Sequence, residues 1–253
     1  MARPMPMPVL QPVVEAPPLL LVGFGAYVVA VAGVALGGLG AGLLSAGLPL
    51  EQRLRIGRLS GAGLAAWFLF LAMTSASGLY LDARQPRFLL YLVPALLGIL
   101  ALLRAPWLRS AVEAMPLFWI PALQTLRIGG GSSLFAAWSI GLAPWGMVLP
   151  AGIGDILVGA AAAGVALLLA RGVRWARPAA VAWNILGLLD ILHTVFRAAA
   201  SAPGPQRLFF EEPANRIPTV FPFVYLAGFV VPLTILLHCL SLRQLAGAAK
   251  RRP

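Results

Sequence analysis

Apolar residues in this chain do not alternate with polar ones in short periods. They run in long blocks, separated by brief clusters of arginine, proline and glycine. A run of about 20 apolar residues is what an α-helix needs to cross the ~30 Å hydrocarbon core of a bilayer. The first run begins near Pro18 and continues past Leu44; others follow at 58–80, 88–104, 113–140, 150–170, 178–199 and 217–242. The pattern predicts an all-α polytopic membrane bundle of seven transmembrane helices over residues 18–243. A proline-rich N-terminal tail (1–17) precedes it and a basic C-terminal tail (244–253) follows. The first run is too long for the apolar region of a cleaved signal peptide, so a retained helix is expected. In the fourth run Gly129, Gly130 and Gly131 interrupt the apolar sequence, which predicts one kinked helix, with a re-entrant pair as the alternative.

Composition agrees with a membrane chain: 60% of residues are hydrophobic, 11% are charged and the mean hydropathy is +0.89. A net charge of +11 would suit nucleic acid, but the basic residues lie in the short gaps between apolar runs, which is a topology signal instead. Seven spans place Arg53, Arg55, Arg58, Arg104, Arg109, Arg171, Arg174, Arg177, Arg243, Lys250, Arg251 and Arg252 on one side. Only Arg3, Arg84, Arg87, Arg207 and Arg216 fall on the other. The bias predicts an outside N-terminus and a cytoplasmic C-terminus, and six spans would scramble it. A single cysteine, Cys239, excludes an intramolecular disulfide and a multi-cysteine metal site.

Among the ionisable residues within the apolar runs, which also include Arg197 and His238, four share one level and define the candidate site: Arg127, Asp155, Asp190 and His193. Charge in hydrocarbon is costly, so such residues face a partner or a water-filled cavity. At about 1.5 Å rise per residue, all four are expected roughly 20 to 24 Å from the cytoplasmic ends of their helices, in the outer half of the bilayer. His238 is expected only about 6 Å up and Asn184 about 9 Å, below that level, which counts against a two-histidine site. Asp190 and His193 are three apart on one helical face, and Thr194 is four from Asp190. A carboxylate and an imidazole so placed could relay a proton, bind a metal or lock helix packing. D-x-x-H alone is a weak metal signature.

Arg127 does not shed its proton readily and therefore needs a carboxylate or an anion. Asp155 and Asp190 are the acids at its level, so either an Arg127–Asp pair or an anion-binding arginine fits. With two acids for one arginine, the second carboxylate is available for a proton or for His193. Asp155 follows Pro150, Gly152 and Gly154, which also reads as a first-turn acid serving a helix dipole. Gln124, Gly154, Asn184, Thr194 and Tyr225 are the supporting positions. Phe209, Phe210, Glu211 and Glu212 sit in an outer loop that reads as an interfacial anchor or a lid.

The segments LQTLRIGG, LPAGIGDILVG and WNILGLLDILHTV, with a last proline-rich span ending in LLHCLSL, resemble a group of uncharacterised bacterial seven-helix integral membrane proteins. The likeness covers roughly residues 113–242 and implies a bacterial inner (cytoplasmic) membrane protein. It places Arg127, Gly154, Asp155, Asn184, Gly187 and Asp190 in the motif segments and carries no activity, substrate or cofactor. Several functions are excluded by the residues themselves. Lys250, in the tail, is the one lysine, so no helix lysine can form a retinal Schiff base. Neither H-E-x-x-H nor G-x-S-x-G occurs, and no loop is long enough for a soluble catalytic domain. Three readings remain open: a small proton-linked transporter, a structural or accessory subunit of a membrane complex, and a metal-dependent membrane hydrolase. The expected partners are the lipid bilayer, a small-molecule or ion substrate and another membrane protein, with no nucleic acid, no cofactor and no metal implied.

Overall fold

A computed structural model of the chain describes residues 17–81 and 89–250. Most of the N-terminal tail, Arg84 and Arg87, and Arg251 and Arg252 lie outside the described residues. The described residues are mostly helical and hold no strand: α1 (Pro18–Ser45), α2 (Leu50–Ala76), α3 (Leu89–Arg104), α4 (Pro106–Ala114), α5 (Trp119–Leu123), α6 (Arg127–Ser139), α7 (Trp145–Ala170), α8 (Ala176–Ser201) and α9 (Val231–Lys250). A 3-10 turn over Gln124–Leu126 joins α5 to α6, and a π-helical turn over Leu226–Val230 leads into α9. Among the described residues five helices are long and apolar enough to cross a membrane, α1, α2, α7, α8 and the stretch Leu226–Ala248, and the bent pair of α3 and α4, at 68°, would make a sixth as one broken span.

The side-chain pattern is that of a membrane fold, with apolar groups outside and polar groups inside. On α8, Ile185, Leu186, Leu189, Leu192 and Phe196 recur at three- and four-residue spacing and are exposed, while Asn184, Gly187 and Thr194 are buried. A water-facing helix would show the reverse distribution.

Several boundaries differ from those the apolar runs predict. α7 starts at Trp145 rather than at 150, because Pro144 supplies the N-cap while Pro150 is accommodated inside the helix. Asp155 is therefore ten residues into α7, and the first-turn reading of it does not hold. α9 continues to Lys250 rather than ending near 242, and Gln244, in the expected tail, is buried and donates to the carbonyls of Val112 and Met115. The fourth run is broken, but not at its glycines. Ala114 ends α4, the chain resumes helix at Trp119, and α6 passes through Gly129, Gly130 and Gly131 without interruption.

Those glycines serve helix contact. α6 lies against α7 so closely that a Cβ on Gly131 would stand 2.5 Å from the carbonyl oxygen of Gly152, and one on Gly129 would enter the ring of Tyr27 on α1. Small residues at such crossings let backbones approach and gain van der Waals contact where no hydrophobic drive exists between helices. The core on the α1 side is then filled by Phe24, Val28 and Val31 against Leu134, Val148 and Phe223.

Gly131→Ala is expected to destabilise the protein by about 1 to 3 kcal/mol through overpacking. Gly164→Ala, with no atom within 4 Å of the added Cβ, is expected to be neutral or slightly stabilising. Thermal melting in detergent checks both, and equal melting of the two variants would show that the α6–α7 crossing is not tightly packed.

Candidate functional site

Arg127 opens α6 directly after the 3-10 turn, with 3% of its side chain exposed. Its Cβ passes Gly159 of α7, where a side chain would collide with it, and its guanidinium emerges among α7, α8 and α9. Nε donates to Oδ1 of Asp155 at 2.8 Å. Nη2 donates to the same oxygen and to Oδ2 of Asp190, both at 2.5 Å. Nη1 donates to the Gly187 carbonyl at 3.4 Å and lies 3.3 Å from Nε2 of His238. A guanidinium has five N–H groups. Here all five have an acceptor inside the protein.

The tautomer of His238 follows from its neighbours. Nδ2 of Asn184 donates to the Ala180 carbonyl at 2.8 Å, an atom that can only accept, and this orients the amide. The same Nδ2 lies 3.0 Å from the Ser241 hydroxyl. Oδ1 of Asn184 therefore faces Nδ1 of His238, at 2.9 Å, and must receive a proton from it. With Nδ1 protonated, Nε2 of a neutral ring presents a lone pair to Arg127. Trp183 packs against the ring at 4.9 Å between centroids, tilted by 48°, and donates its indole N–H to the Val158 carbonyl. The ring fills the space over Gly187, where any side chain would overlap it.

Two carboxylates thus surround one guanidinium beside a neutral imidazole. Asp155 is held by two of the Arg127 bonds and Asp190 by one. Both acids keep partial exposure, 18% and 16% of the side chain. Asp190 reaches Arg127 across Gly154, which has no Cβ to block the carboxylate.

The structure brings together Arg127, Asp155 and Asp190, with Gly154 and Asn184 in support. His193 is exposed on α8 and forms no hydrogen bond with Asp190, but lies close enough to interact with it electrostatically. Thr194 is buried, and its hydroxyl has no hydrogen-bond partner among the described residues. Tyr225 lies elsewhere, donating to the Phe68 carbonyl, and Gln124 ties α5 to α9 through the Thr234 carbonyl at 3.1 Å. His238 is a correction to the expected depth, whereas Asn184 keeps its place below the cluster. His238 meets Arg127 directly because α9 extends eight residues beyond 242, and Asn184 sits one hydrogen bond below it. The available signal was the spacing of Thr234, His238 and Ser241, which puts three polar groups on one face of the last helix. Among the described residues no three His, Cys, Asp or Glu side chains are grouped to hold a metal. The guanidinium occupies the position between the two carboxylates.

Nitrogen NMR of histidine-labelled protein, with His193→Gln to assign the signals, is expected to show His238 protonated on Nδ1 and bare on Nε2. Protonation on Nε2 would overturn the hydrogen-bond order. Asn184→Leu is expected to cost about 1 to 3 kcal/mol of melting stability, since it leaves buried partners unsatisfied.

No curated protein and no solved structure matches this sequence. A match does span residues 86–246, from the approach to α3 through most of α9 and including every residue of the Arg127 cluster. It is to a family described as a domain of unknown function, DUF8737, and since it covers more than half of the chain, the protein belongs to that family.

Proposed function

We propose that the protein is a seven-span membrane protein in which the Arg127 cluster is a closed electrostatic clamp, and that its role is structural or accessory within a membrane assembly. The spans are α1, α2, α3, the continuous path through α5 and α6, α7, α8 and the π-turn with α9. α4 is the exception. Its Leu108, Ala111 and Val112 are buried while Arg109 and Ser110 are exposed, the division expected of a short helix at the interface. The basic residues at the start of α2 and the ends of α3, α7 and α9 support a cytoplasmic C-terminus and an outside N-terminus. The resemblance to bacterial membrane proteins supports a bacterial inner membrane.

The observation that carries the clamp is the committed guanidinium. With all five N–H groups bonded to α7, α8 and α9, no donor remains for an anionic substrate. A buried pair of this kind stabilises weakly as a whole, yet removing one member leaves uncompensated charge and costs about 3 to 5 kcal/mol.

One observation favours the second reading, a proton-linked transporter. Two carboxylates and one guanidinium carry a net charge of −1 in hydrocarbon, which a single proton on either acid would neutralise. Asp190, with one bond to Arg127 and partial exposure, is the better candidate to exchange it.

Reporter fusions after Lys250 and within residues 203–215 are expected to report opposite compartments; the same compartment would break the seven-span topology. Arg127→Gln is expected to melt markedly earlier in detergent. Combining it with Asp155→Asn and Asp190→Asn should recover much of the loss by removing the unpaired charge. Unchanged melting of Arg127→Gln would end the clamp. Asp190→Asn that melts normally but abolishes proton uptake seen for wild type in liposomes would replace it with transport.

A further inference from the structure

Away from the Arg127 cluster, a cleft of about 600 Å³ is enclosed by α1, α2, α3, α4 and α9. Its walls are apolar, and Ser60 is the only hydroxyl side chain among the lining residues. Along α9 it extends from Gly228 to Leu240, twelve residues or about 18 Å, more than half the thickness of the hydrocarbon core. α2 packs on α1, and α3 packs on α4 and α9; α2 and α3 come together at one end around Leu71 and Tyr91, and both line the cleft along the rest of their length.

Two of its lining residues are glycines in helix interiors, Gly63 on α2 and Gly98 on α3, and no atom lies within 4 Å of a Cβ built on either. Glycine costs about 1 kcal/mol relative to alanine inside a helix. At Gly131 a close backbone contact accounts for the missing side chain; at Gly63 and Gly98 no helix contact does. What these two provide is width.

Each of the three helices around the mouth carries an arginine at the same end. Arg53 lies on the face of α2 that holds Ser60, two turns away, and its Nε is buried without a hydrogen-bond partner. Arg104 ends α3. Arg243 lies one turn beyond Leu240 on α9 and donates to the Leu103 carbonyl at the α3–α4 corner. The acids described near this end are Glu51, exposed on α2, and Glu113, paired with Arg109 at 2.8 Å. The end is therefore positive.

We propose that this cleft binds an anionic phospholipid, its hydrocarbon chain lying between α2 and α3 and its phosphate headgroup held by Arg53, Arg104 and Arg243. Basic clusters between transmembrane helices select anionic headgroups in this way. A lipid is favoured over a helix from a second copy because the arginines at one end of the cleft call for an anionic headgroup. A flexible hydrocarbon chain fits the width and follows the long axis.

Native mass spectrometry of the full chain in detergent tests this, by titration with dioleoyl phosphatidylglycerol and with dioleoyl phosphatidylcholine of identical chains. One phosphatidylglycerol is expected to bind tightly and phosphatidylcholine weakly. Arg53→Gln, Arg104→Gln and Arg243→Gln should each lower phosphatidylglycerol affinity about fivefold, the order expected for one basic group near an anionic headgroup. Gly98→Phe and Gly63→Phe, which project into open space rather than into a packed contact, should block both lipids without earlier melting. Equal binding of the two lipids to wild type would overturn the headgroup assignment. Undiminished phosphatidylglycerol binding in a normally melting Gly98→Phe protein would overturn the cleft.

Discussion

A guanidinium inside hydrocarbon has no water to hydrogen-bond and does not readily lose its proton, so every N–H must find an acceptor within the protein. Arg127 meets that requirement by drawing on three helices at once. This single constraint accounts for much of the geometry around it. The two carboxylates must come from different helices, because Asp155 alone offers one oxygen to two of the donors. The Gly187 carbonyl and Nε2 of His238 must lie on the opposite side, to take the Nη1 protons. α6, α7, α8 and α9 are thereby held in one mutual arrangement, whatever activity the family carries.

The glycines at the crossings are the steric counterpart of that electrostatic demand. Gly159 admits the α6 backbone at Ile128 beside the Arg127 stem, while Gly154 admits the Asp190 carboxylate and Gly187 the His238 ring. The last two mark where a polar side chain from a neighbouring helix needs the volume that a Cβ would take. In this protein the small residues and the ionisable residues are one design. Asn184 extends it by fixing the His238 tautomer, so that the imidazole accepts from Arg127 and does not compete with it as a second cation.

The class of fold and the charged triad were legible in the sequence for the same reason: both are set by the cost of polar groups in hydrocarbon, which depends on composition along the chain. Arg127, Asp155 and Asp190 stand out because the one other acid in their apolar runs, Glu113, lies at the very start of its run. His238 did not, because its depth was counted from an end of the last helix placed eight residues too early. Leu242 to Lys250 holds two polar residues besides the lysine, and polarity was read as exit from the membrane, whereas Gln244 is buried against the carbonyls of Val112 and Met115. His193 is the outer neighbour that its spacing from Asp190 implies: it stays exposed and acts on Asp190 by charge without a hydrogen bond, while Asp190 turns inward over Gly154. Sequence spacing gives proximity along a helix; which side of a neighbour a residue meets depends on helix rotation.

The bundle divides into two halves that use hydrocarbon differently. Around Arg127 the helices close on one another, glycine against side chain, and polar groups satisfy each other. Around Gly63 and Gly98 the same residue type leaves space beside apolar walls. α9 joins the halves, since His238 faces the clamp while Leu236 and Leu240 face the cleft. A helix held rigidly by a buried ion network on one side can afford an open apolar surface on the other. In a membrane that surface is solvated by lipid chains, so an opening there carries none of the penalty it would carry in water.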